Sequence, residues 1–207
     1  MKLKVTDKPV KQTTELRQAG LVAAALQLAA QRSPADITTT DLAQAVGITQ
    51  GAVFRHFPSK EAIWLAVLDW VTSTLMTRLH TAATQASALD ALKAVFTAHV
   101  EFVVAHPGVP RIIFQELQHT GDTPVKARVR ALMGQYRQLL TCLMHRAKEE
   151  KTIAHDADIA SASVLFIGSI QGLVMQSMLS GHVAGMAELA PGVYAHFQRG
   201  LLTGTAA

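Results

Sequence analysis

Apolar residues recur at three- and four-residue steps through most of the chain, and turn residues interrupt that rhythm at clear marks. Leu16, Ala19, Ala23, Leu26 and Ala30 give a first helix one apolar face, and Ser33-Pro34 ends it. Two short helices follow, near 40–46 and 50–56, separated by Gly47-Ile48-Thr49. Pro58-Ser59 precedes a longer helix over 60–82, with Ser59 as its N-cap and Glu61 suited to the dipole of its first turn. The pattern then predicts a helix over 88–105 stopped by His106-Pro107-Gly108, and a shorter one over 109–119. Thr123-Pro124 reads as N-cap plus N1 proline for a helix reaching Lys151. Asp156 is placed to cap the next, which runs to Leu179 before Gly181. A final amphipathic helix spans 184–202, with a bend expected at Pro191-Gly192. No segment sustains two-residue alternation, and Val100 to Val104 lies inside a helical pattern. The expectation is an all-α fold of about nine helices, without repeats or a low-complexity linker.

The most informative stretch runs from Ile37 to Phe57. Thr39 is one cap for the first short helix; Thr38 with Asp41 three residues on is the alternative, a capping box. Leu42, Ala43 and Val46 form its inner face, and small Ala43 lets a second helix cross closely. Gly47 stands where the chain leaves the helix through a left-handed conformation. Ile48 plugs the space between the helices and Thr49 caps the second, whose Val53 and Phe57 face inward. Gln50, Gly51, Ala52, Arg55 and His56 are then left outward. Glutamine bonds an adenine edge and arginine a guanine edge, an alanine methyl touches a thymine methyl, and His56 and Lys60 suit phosphates. The competing reading of the turn chemistry alone is an ordinary helical hairpin.

Thr39, Leu42-Ala43, Gly47-Ile48-Thr49, Gly51-Ala52, Phe54-Arg55-His56-Phe57 and Ser59-Lys60-Glu61 together resemble the DNA-binding domain of TetR-type repressors over residues 14–68. The resemblance implies DNA-contacting positions at Thr39, Thr40, Thr49, Gln50, Gly51, Ala52, His56 and Lys60, and the outward Arg55 and the ring of Phe54 complete the candidate set. Phe54 departs from the usual tyrosine and loses the hydroxyl that often meets phosphate; Thr40 is shorter than some members' base-reading side chain. The implied organisation is a basic flexible arm over 1–13, a helix-turn-helix domain over 14–60, and a helical regulatory and dimerisation domain over 61–207. It implies a double-stranded operator as partner, an unidentified small-molecule effector, and a homodimer formed through the last two long helices.

In that second half, Gly168 and Gly172 are four apart, beside Leu165 and Leu179, and small residues at that spacing permit close helix approach. Val193, Phe197 and Leu201 form a stripe that would complete a four-helix bundle across a two-fold axis, unless both stripes pack inside one subunit. Candidate ligand-wall residues are Phe96, His99, Val103, Ile113, Phe114, Leu117, Tyr136, Leu140, Phe166 and Met175, each equally compatible with plain core. His99 and Tyr136 are the polar groups best able to orient a ligand.

Composition changes this picture only in places. Of 207 residues, 49% are hydrophobic but only 5% aromatic, which suits close helix packing. The formal charge of +4 is concentrated early, with Lys2, Lys4, Lys8, Lys11 and Arg17 against Asp7 and Glu15, as an arm on DNA phosphates requires. Ile159 to Leu179 is the most apolar stretch, but its serines and glutamines read as a buried interface helix, not a membrane span. The lone Cys142 excludes an internal disulfide and, with no secretory h-region, points to the cytoplasm. The nine histidines show no His-x-x-x-His pair, so no metal site or cofactor is expected. No nucleophile–base pair or phosphate loop supports an enzyme. The remaining rival is a helical scaffold or partner-binding protein.

Overall fold

The computed structural model describes residues 14–202. Within them the chain forms nine α-helices, one short 3-10 turn and no strand. The helices are α1 (Thr14–Gln31), α2 (Thr39–Ala45), α3 (Gln50–Val53), α4 (Lys60–Ala82), α5 (Ala88–Ala105), α6 (Gly108–Leu117), α7 (Pro124–Glu149), α8 (Ile159–Ser180) and α9 (Gly185–Leu201), with the turn at Pro34–Asp36. The basic arm expected at 1–13 lies outside the described residues.

Side-chain caps set most of the boundaries. Ser59, Ser87 and Thr123 each accept a hydrogen bond from the backbone three residues on, satisfying a first-turn N–H that has no partner inside its helix. At α8 the cap is Asp158 rather than Asp156; its carboxylate accepts from the amides of Ala160 and Ser161. Pro191, where a bend is expected, lies inside a continuous α9. Gly181 ends α8 at φ 71°, a left-handed geometry that costs glycine no Cβ clash.

Four long helices, α5, α7, α8 and α9, build the core of the second half. Phe166 on α8 stands at its centre, edge to face with Phe96 on α5 (centroids 5.3 Å apart), Tyr136 on α7 (6.3 Å) and Phe197 on α9 (5.2 Å). Ring contacts at these angles let positive edges meet negative faces. α4 packs on both α1 and α7, so it belongs to both halves.

The first helix packs through a different face from the one its periodicity suggested. Leu21, Val22, Ala24, Ala25 and Ala29 are buried, whereas Leu16 is 60% exposed. Ala19, Ala23, Leu26 and Ala30 instead line a groove of about 430 Å³, completed by Trp70 of α4 and His106-Pro107 after α5. Alanines on every side of α1 left two apolar stripes, and neighbours buried the one with Leu21.

Candidate nucleic-acid interface

α2 and α3 are positioned by their own caps. Thr38, not Thr39, opens α2 through a reciprocal capping box: its hydroxyl accepts from the Asp41 amide, and Asp41 accepts from the Thr38 amide at 2.7 Å. The Thr38 bonds, followed by that of Arg32, lower the Asp41 pKa to about 2. Gly47 leaves α2 at φ 68°, and the Ile48 amide bonds the Ala43 carbonyl at 2.9 Å. Half-buried Ile48 sits between the helices, and Thr49 caps α3 through the Ala52 amide.

α3 is shorter than expected. Regular helix stops at Val53, and Phe54 to His56 form a turn in which the His56 amide bonds the Val53 carbonyl at 2.9 Å. Ala52 does not face outward: it is 8% exposed and buried with Val53, which takes its methyl away from the candidate thymine contact. The exposed set is Thr40, Thr49, Gln50, Gly51, Phe54 and Arg55, with Thr39, His56 and Lys60 half-buried at its edges. Gln50 donates its side-chain amide to the Thr39 hydroxyl at 2.8 Å, joining the two helices on their outer surface. The Lys60 ammonium donates to the Ala35 carbonyl at 3.2 Å, beside this surface. Phe54, 48% exposed, offers a ring but no phosphate-binding hydroxyl. The His56 Nδ1 is enclosed without a hydrogen-bond partner.

Beyond this surface, α8 turns one apolar face outward. Leu165 (56% exposed) and Leu179 (75%) lie on it with Val164, Gly168, Gly172 and Met175. The helix is long and apolar enough to cross a membrane by length and composition, but its other face, with Phe166, Ile170 and Leu173, is buried in this subunit. On α9, Val193 is half-buried, whereas Phe197 and Leu201 are buried inside the subunit and are not on the outer surface. The exposed side of α9 carries Leu189, Gly192, His196 and Arg199 instead.

None of the four cavities described is lined by more than one of the ten candidate ligand-wall residues. Phe96, Tyr136, Leu140 and Phe166 fill the core solidly, Ile113 and Phe114 are half-buried against it, and Leu117 and Met175 are about half exposed. Only Val103 borders one of four described cavities, a space of about 170 Å³ shared with Arg111 and Val174. His99 Nδ1 and the Tyr136 hydroxyl lie 3.1 Å apart within this core. Desolvation lowers the His99 pKa to about 4 and raises that of Tyr136, so both are neutral at pH 7. In the unfolded chain His99 takes up a proton near pH 6.5, before the folded form does. Stability should therefore fall as pH drops from about 6.5 towards 4. Thermal unfolding across that window should show a shallower slope in His99→Gln; an unchanged slope would contradict the assignment.

An exposed two-helix reader ahead of an all-helical body defines a class, the helix-turn-helix transcription regulators. Residues 21–67 match the model of the bacterial regulatory proteins, tetR family, and residues 112–192 match the tetracyclin repressor-like C-terminal domain. The chain belongs to the TetR family. It is 31% identical over 134 residues to the nucleoid occlusion factor SlmA of Glaesserella parasuis; the match covers 63% of this chain and spans 66% of that relative. The fold is shared with the transcriptional regulator FadR of Bacillus subtilis, solved in complex with stearoyl-CoA (TM-score 0.77, 16% identity, 88% of this chain and 98% of that one). It is likewise shared with the TetR-family regulator PfmR of Thermus thermophilus (TM-score 0.72, 19% identity, 86% and 97%).

Proposed function

We propose that this TetR-family regulator is a homodimeric repressor that binds a palindromic operator and is released by a small-molecule inducer. The observation that carries the reading is the outward Thr39–Gln50 pair, flanked by exposed Gly51 and Arg55. Two such surfaces on a dimer reach successive major grooves, about 34–36 Å apart. The unpartnered face of α8, with its two glycines, supports dimerisation as a second subunit would cover it. Of the expected α9 stripe, Val193, half-buried against the subunit's own core, is the residue left with surface for such a partner. An inducer that opened the aromatic core would find His99 and Tyr136 as hydrogen-bonding groups, and displacing the rings would shift α4, which touches both halves. A regulator of this kind acts in the cytoplasm, where a bacterial genome lies.

Two substitutions test the DNA surface. Gln50→Ala should cost about 1–3 kcal/mol at one base position of a selected duplex and relax preference there. Lys60→Ala should weaken selected and scrambled duplexes alike and lower the salt slope by about one. Unchanged binding of the selected duplex by Gln50→Ala would remove Gln50 from reading.

The 31% identity to a nucleoid occlusion factor favours a second reading, a DNA-binding factor of the nucleoid rather than a repressor of one promoter. Genome-wide mapping of bound sites separates the two: one or a few promoter sites support the repressor, and dispersed sites the alternative.

A further inference from the structure

The reader is held from behind by a contact that joins distant parts of the chain. Gln18, half-buried on α1, donates its side-chain amide to the His56 carbonyl at 2.9 Å, across 38 residues. His56 closes the turn that continues α3, so this bond ties α1 to the end of the reading element. Eight residues further along α1, roughly 12 Å at helical rise, the same helix receives the regulatory half. Gly108, the first residue of α6, lies against the α1 backbone at Leu26 and Ala30. A Cβ there would stand 2.9 Å from the Ala30 nitrogen and closer still to the Leu26 carbonyl oxygen. Those atoms are backbone and cannot rotate away, so any side chain at 108 pushes α6 off α1. Between the two contacts α1 buries Leu21, Val22, Ala25 and Ala29, and close packing makes it respond as one body.

We propose that Gln18 is a positioning residue for DNA reading, and that the Gly108 seat couples the regulatory half to it through α1. A shift of α6 is delivered along α1 to Gln18 and moves the turn that follows α3. This route is separate from α4. The inference rests on the DNA-reading assignment of α2 and α3, and the experiment distinguishes the two.

The full chain is titrated by fluorescence anisotropy with a duplex selected from a random library and with a scrambled duplex, well below the melting temperature of each variant. Gln18→Met keeps side-chain length and removes the donor. It should lower affinity for the selected duplex about 5–10-fold, the scale of one hydrogen bond, and leave the scrambled duplex unchanged. Gln18→Lys restores an N–H donor and should recover the selected-to-scrambled ratio, although its charge strengthens both. Gly108→Ala should lower the ratio similarly, and the double variant should lose no more than about 10-fold, since both substitutions release the same turn. A wild-type chain with no preference would overturn the DNA-reading assignment and this inference together. A preference retained by Gln18→Met would overturn the positioning role alone. Losses that multiply in the double variant would overturn the coupling while leaving Gln18 in place. A Gly108→Ala variant that fails to fold would overturn the coupling, since the seat would then hold the fold rather than carry a shift, and the Gln18 pair still decides the positioning role.

Discussion

Gly168→Arg is expected to turn the proposed dimer into a monomer and to lower affinity for a two-half-site operator by roughly 10²–10⁴-fold, the gain that linked binding supplies. The site isolates the interface from the subunit fold. A Cβ at Gly168 meets nothing within 4 Å in the single chain, and the residue lies on the outward face of α8 beside Leu165. Replacing a mid-helix glycine also favours the helix by up to about 1 kcal/mol, so the variant's own stability should not fall. Against a second α8, however, the same position would force a guanidinium into an apolar contact, where an unpaired charge is strongly unfavourable. Sedimentation should report the mass of one chain, and a single half-site duplex should bind nearly as well as it does to wild type. A dimer that persists in Gly168→Arg would place the interface elsewhere.

The second large effect lies in the core. Phe166→Ala should destabilise the protein by about 3–5 kcal/mol, a large share of the stability of an ordinary domain. The ring is fully buried and stacks edge to face on Phe96, Tyr136 and Phe197, so its removal leaves a void bounded by three other helices. Denaturant unfolding checks the size. The same variant also bears on the inducer site, because a cavity opened there should bind a small apolar molecule and be stabilised by it. A loss below about 1 kcal/mol would mean that the core collapses freely around the gap.

Most helix boundaries were legible because they are written in local chemistry. Ser59, Thr123-Pro124 and Gly47 act on backbone groups a few residues away, and no tertiary knowledge is needed to place them. The faces of helices were less legible. In α1, alanines on every side give the periodicity no unique direction, and the choice between Leu21 and Leu26 fell to neighbouring helices. In α9, Phe197 and Leu201 read as an interface stripe, but the inner core needed them first; the outer side is left to Leu189, Gly192 and His196. Met175 and Leu117 read as pocket wall because they are large and apolar, yet both are about half exposed, Met175 on the outward face of α8.

The reading surface divides in the same way. Gln50 follows as an outward residue from the cap at Thr49 and is exposed, whereas Thr39, a DNA-contact candidate only through the family resemblance, is half-buried and accepts the Gln50 amide. Ala52 reads as outward beside Gln50 and Gly51, but the burial of α3 extends to it as well as to Val53. The Gln18–His56 bond had no local signature at all, since its partners are 38 residues apart. Of the ligand-wall candidates Phe96, His99, Tyr136 and Phe166 do converge, but converging rings fill space as readily as they surround it.

The account depends on residues 39–60 reading DNA sequence. Its most direct test is binding of the wild-type chain to a duplex selected from a random library, against a scrambled duplex, over a series of salt concentrations. The account predicts a palindromic selected sequence with half-sites about one helical turn apart, bound at least about 10³-fold more tightly than the scrambled duplex at physiological salt. It also predicts an affinity that falls steeply as salt rises. Equal, weak affinity for both duplexes would contradict it and leave the helical scaffold as the better description.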